Sequence, residues 1–148
     1  MRVRRAAALA VFPVALAALT ACGSSAKPLS KADFIAKADA ICQKYVGLSA
    51  QSTKDLKHPS PAQVMDAIRT RLFPLLQQQD KDLAKLEPPV ADRAAVTKFL
   101  ADLKAATADM GANTQAFVEA HGVTKLFAAA SLDAHNYGLK VCASTGRS

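Results

Sequence analysis

The 148-residue chain predicts an all-α fold, an up-down-up-down four-helix bundle. Apolar residues recur at three- and four-residue spacing over long stretches, the pattern of helices that bury one face. Prolines and glycines punctuate these stretches at few places, several of them beside helix-capping residues. Composition agrees: alanine is abundant, tryptophan is absent and aromatic residues make up only 5% of the chain. A core of Ala, Leu, Val and a few Phe suits close helix packing better than a sheet, which favours β-branched and aromatic side chains.

The first segment stands outside that bundle. Arg2, Arg4 and Arg5 precede an uncharged run from Ala6 to Ala21, the layout of a secretory signal peptide. A membrane-spanning helix needs about 20 predominantly apolar residues, and this run is shorter and ends in Gly-Ser-Ser. Arg4-Arg5 has no Ser or Thr before it and alanines after it, so the general secretory route is expected rather than the twin-arginine one. Leu19-Thr20-Ala21-Cys22 resembles the lipobox of bacterial lipoproteins. The resemblance implies cleavage between Ala21 and Cys22 and a diacylglycerol on the Cys22 thiol; acylation of the new amino group, by palmitate for example, stays open. Several acyl chains on one cysteine would hold durably, since one chain alone binds a membrane only marginally. The expected organisation is residues 1–21 as lipoprotein signal peptide, 22–29 as lipidated flexible tether and 30–148 as helical domain.

Helix one is expected from Lys31 to Ser52, with Ser30 as N-cap, Asp33 in the first turn and Phe34, Ala38, Ile41, Tyr45 and Leu48 on its apolar face. Ser60-Pro61-Ala62-Gln63 fits a capping box with proline at the first helical position. Helix two then carries Val64, Ile68, Leu72, Leu75, Leu83 and Leu86, and Pro74 should kink or split it near Thr70 to Phe73. Glu87-Pro88-Pro89 forces an extended corner. Helix three follows from about Ala91 with Val96, Phe99, Leu103, Ala106, Met110, Asn113 and Phe117, a weak point at Gly111 and Gly122 as C-cap. Thr124 is the expected cap of helix four, which would run through Phe127, Ala130, Ala134, Tyr137 and Val141 to Cys142. The tail from Ala143 to Ser148 is expected to fray. Short connections make neighbouring helices antiparallel.

With Cys22 assigned to lipid, Cys42 and Cys142 remain, each on the apolar side of its helix. An exported compartment favours a disulfide between them, joining the first and last helices. Two separate buried thiols are the plainer alternative, and a metal site lacks CxxC or CxxH spacing. Such a bridge would set Cys142, at the end of helix four, against the middle of helix one, leaving the first turns of helix one overhanging by roughly 15 Å. Phe34-Ile-Ala-Lys-Ala-Asp-Ala-Ile-Cys42, Leu83-Ala-Lys-Leu-Glu-Pro-Pro89 and Tyr137-Gly-Leu-Lys-Val-Cys142 together resemble small exported helical proteins of actinobacteria, many of them lipoproteins. That resemblance implies a fold, a disulfide and a compartment, and supplies no activity.

Removing residues 1–21 takes away three arginines and no acid, so 16 Lys+Arg face 12 Asp+Glu and the formal charge falls from +7 to +4. The excess is spread over single lysines with little aromatic interleaving, which argues against nucleic acid as a partner. His58 lies in a Pro-rich linker, His121 beside a helix end and His135 alone on a helix, so none has a partner at catalytic or metal-binding spacing. Asp80 and Asp82 fall in a charged stretch read as solvated, as is Gln77-Gln78-Gln79. Tyr45 and Tyr137 are expected to pack in the core with hydrogen-bonded tips, near the disulfide. With only Glu87 and Glu119 there are too few glutamates for a di-iron bundle, and no haem, nucleophile-elbow or phosphate-loop motif occurs. The expectation is a monomeric, membrane-anchored extracytoplasmic lipoprotein without catalytic residues, metal or cofactor, serving as a binding or interaction module for an envelope protein. The alternative is a carrier that holds a small apolar or lipid ligand in a cavity opened by the Pro74 kink.

Overall fold

Ser30 starts the first helix, α1 (Lys31–Thr53), its Oγ accepting the Asp33 backbone N–H at 3.1 Å. In the computed structural model, which describes residues 27–119 and 123–144 without the side chains of 123 and 124, every regular element is helical. Phe34, Ala38, Cys42 and Tyr45 form the buried stripe of α1, and Val46 and Leu48 beyond them are exposed. The stripe ends sooner than the spacing predicts because the far part of α1 borders a cleft.

The second rod begins at a complete capping box, in which Ser60 and Gln63 satisfy each other's backbone N–H groups. It runs as α2 (Pro61–Ala67), a π-helical turn (Ile68–Leu72) and α3 (Phe73–Leu83). Within the turn the Phe73 N–H donates to the Ile68 carbonyl, five residues back. Pro74 explains the wide register: it has no N–H, and its ring would strike the carbonyl four residues earlier in a regular helix. The expected split is therefore present, as one widened turn rather than a break. At the proline corner the Leu29 N–H donates to the Glu87 carbonyl at 3.0 Å, so the last residue of the expected tether is pinned to the domain.

A 3-10 turn (Val90–Asp92) leads into α4 (Arg93–Ala112), which buries Val96, Phe99, Leu103, Ala106, Thr107 and Met110. Gly111 does not break it. A Cβ there would stand 2.5 Å from the Phe73 ring, so the glycine allows α3 and α4 to approach. The chain bends instead at Asn113 and continues as α5 (Thr114–Glu119). Helix four is also divided, into α6 (Val123–Leu126) and α7 (Ala128–Tyr137), so Thr124 lies inside a helix rather than capping one.

The largest departure is at the end. Helix four does not reach Cys142: α7 stops where Gly138 takes φ +105°, a left-handed conformation that favours glycine. Gly138 N–H donates to the His135 carbonyl and Leu139 N–H to that of Ala134, a Schellman ending. The chain then reverses into α8 (Val141–Ser144), which carries Cys142 back along α1 to Cys42. The disulfide joins them with Cα atoms 5.3 Å apart. The expected overhang is absent, because Tyr137 reaches Phe34 in the first turn of α1, with ring centroids 5.7 Å apart and edge to face.

Packing proceeds from α1 to α3, α3 to α4, α4 to α7, and α7 through α8 back to α1. Phe34, Leu83, Ala134 and Leu139 are essentially inaccessible at its centre. Cys22, His121, Gly122 and residues 145–148 lie outside the described residues.

Candidate functional site

Where the π turn widens the second rod and α5 bends away from α4, a cleft of about 510 Å3 opens. Val64, Ile68, Leu72 and Leu76 form one wall, Tyr45 and Val46 of α1 another, and Met110 and Phe117 the third. Sequence patterning put Tyr45, Val64, Ile68, Leu72, Met110 and Phe117 on inward faces, but named Leu75 where Leu76 lines the cleft. It could not show that three of those faces fail to close.

Gln79, Ser49 and Ser144 are the polar residues lining the cleft. Gln79 is only 5% exposed, which corrects the reading of the glutamine run as a solvated face. Its Nε2 donates to the Cys42 sulfur at 3.3 Å, linking the cleft wall to the disulfide. The signal was its spacing: Gln79 falls four residues after Leu75 and four before Leu83, on the predicted stripe. Ser144 belongs to α8, so the disulfide-held segment contributes to the site.

The Tyr45 ring faces the cleft while its hydroxyl is engaged elsewhere, donating to Asp82 Oδ2 at 2.7 Å. Burial and then this carboxylate push the tyrosine pKa up to about 12. Asp82 also accepts from Lys85 at 2.8 Å and Gln78 at 3.2 Å. Lys85 and Tyr45, in that order, hold its carboxyl well below the ordinary carboxylate range. Asp82 is thus a structural acceptor and not the free, solvated acid expected. Tyr137 repeats the arrangement on Asp92 Oδ2 at 2.9 Å, with its pKa also raised to about 12 by burial first. Both tyrosines bury their rings and hydrogen-bond their tips, each to a different helix end.

Asp39 is a residue that spacing rules did not single out. Its carboxylate accepts the N–H groups of Lys140, Val141 and Cys142 at 2.9, 2.9 and 3.1 Å, which caps α8 and docks it on α1. Of the histidines, His58 and His135 are described and lie on different elements. His58 is exposed in the loop between α1 and α2 with φ 53°. His135 is exposed beside a depression of about 380 Å3 whose lining includes Lys140 and Ser144 but no acid or thiol. Among the described residues no three His, Cys, Asp or Glu side chains are grouped to hold a metal, and no helix is long and apolar enough to cross a membrane.

No protein-family model, curated protein or solved structure matches this chain.

Proposed function

We propose that this chain is a non-catalytic, lipid-anchored binding protein on the extracytoplasmic face of the cell membrane, whose domain carries a small apolar or lipid ligand. Residues 1–21 act as its signal peptide, Cys22 bears the lipid, 22–29 form the tether, and 30–148 form the up-down-up-down bundle. The likeness to small exported helical lipoproteins of actinobacteria supports this compartment, as does the Cys42–Cys142 disulfide.

The observation that carries the ligand reading is the cleft at the π turn. Its volume, about 510 Å3, falls within the roughly 300–1,000 Å3 of small-molecule pockets, and its lining is mostly apolar with a few fixed polar groups. The proline-induced widening gives it a local cause. Titration with a fluorescent long-chain fatty acid analogue is expected to show saturable binding to one site, weakened about tenfold or more when Leu76→Trp fills the cleft. A linear, unsaturable signal, or affinity indifferent to Leu76→Trp, would defeat the carrier reading. The anchor is tested separately, by the mass of the N-terminal peptide from the native host: an unmodified Cys22 would overturn it.

An envelope protein is the second reading of the partner. Val46, on the cleft rim, is 40% exposed and Leu48, two residues along α1, is 36% exposed, an apolar border that a partner helix could cover.

A further inference from the structure

A second groove, of about 400 Å3, lies between α3 and α4 and shares no lining residue with the cleft. Phe73, Ala84 and Ala108 supply its apolar surface, Gln77, Asp80 and Thr107 its uncharged and acidic polar part, and Lys81 and Lys104 are exposed at its edge. Among the described residues three buried side-chain polar atoms have no hydrogen-bond partner, and two of them, Asp80 Oδ1 and Thr107 Oγ1, are here. Thr107 is 2% exposed. Its hydroxyl stands near enough to favour the charged form of Asp80, as does the Lys104 charge, but burial outweighs both and raises the Asp80 pKa.

Buried groups of this kind are paired in most folded proteins. The Thr107 hydroxyl lies by Asp80 without a well-formed hydrogen bond, and its single proton can serve one carboxylate oxygen at most, so Asp80 keeps acceptor capacity for a ligand donor. A carboxylate acceptor suits an ammonium best. The lysines answer the opposite end: among the described residues neither Lys81 nor Lys104 is in a salt bridge, and the Lys104 charge acts on Asp80 from a distance.

We propose that this groove binds a small zwitterion with an apolar body, an apolar α-amino acid being the simplest. Its ammonium donates to Asp80 and Thr107, its carboxylate rests on Lys81 and Lys104, and its side chain lies against Phe73, Ala84 and Ala108. The site is independent of the cleft and extends the protein's binding repertoire beyond lipid.

Calorimetric titration of the purified chain with L-phenylalanine as probe is expected to show one site, weakened about tenfold or more by Asp80→Asn and by Lys104→Met. Phenethylamine, which keeps only the ammonium, is expected to respond to Asp80→Asn and not to Lys104→Met; 3-phenylpropanoate is expected to do the reverse. O-phosphoethanolamine has both charges without the apolar body and should bind more weakly than phenylalanine. Lys104 is exposed, so its variant reads binding even if Asp80→Asn perturbs folding. No heat with millimolar phenylalanine, affinity unchanged in both variants, or displacement of the fatty acid probe from the cleft would each overturn the proposal.

Discussion

Asp39, Asp82 and Asp92 show how single carboxylates hold this molecule together. Asp39 collects three backbone N–H groups of α8, while Asp82 and Asp92 each accept a buried tyrosine hydroxyl. Because Tyr45 and Tyr137 are the only tyrosines, their ionisation can be followed directly by tyrosinate absorbance. Both should titrate near pH 12 in the folded protein rather than near the ordinary 10.0, with Tyr45→Phe and Tyr137→Phe assigning the steps. A pKa raised by folding means the neutral form is favoured in the native state. The corresponding stability is fully present below pH 10 and is lost as pH rises through about 12. Two steps near the ordinary value would show that the tips are solvated. The tyrosine packing was legible in the apolar periodicity. The partners were not, because Asp82 lies 37 residues from Tyr45 and Asp92 lies 45 from Tyr137.

Helix starts and helix ends were not equally readable. Ser30 and the Ser60–Gln63 box announce α1 and α2 because capping is a local bond between residues three apart. The end of α7 at Gly138 carried a comparable signal, a glycine between apolar Tyr137 and Leu139, but the apolar stripe continues through it to Val141 and Cys142 and suggests an unbroken helix. Gly111 is the converse case, a glycine that marks a close contact and not a helix end. Replacing it with alanine drives a Cβ into the Phe73 ring, and the variant is expected to lose about 1–3 kcal/mol in denaturant unfolding. Adding Phe73→Leu should return part of that loss if the contact is the cause. Equal losses in the single and double variants would show that the Phe73 ring is not the cause, since alanine for glycine inside α4 by itself favours the helix by about 1 kcal/mol.

Across the whole molecule, the disulfide closes a separation of 100 residues, and the constraint it places on the unfolded chain is correspondingly large. The paired variant Cys42→Ala with Cys142→Ala is expected to lose about 2–5 kcal/mol in equilibrium denaturation. A smaller loss would mean that α8 is held mainly by Asp39 and its apolar contacts. The cleft should weaken along with it, since Ser144 of the bridged segment and Gln79, bonded to Cys42, both line that cleft. By itself the sequence determined the helical class, the two well-capped helix starts and the proline-induced irregularity, because each rests on local bonds or periodicity; for the cysteines it offered Cys42–Cys142 beside two separate thiols, and the structure joins them. Only the tertiary structure decided that α7 meets the first turn of α1, that α8 turns back along it, and that Asp80 and Thr107 meet on one groove. These depend on how several helices share one volume. Whether facing surfaces close into a core or stand apart as a cleft is a property of their joint geometry, which no single stretch of chain encodes.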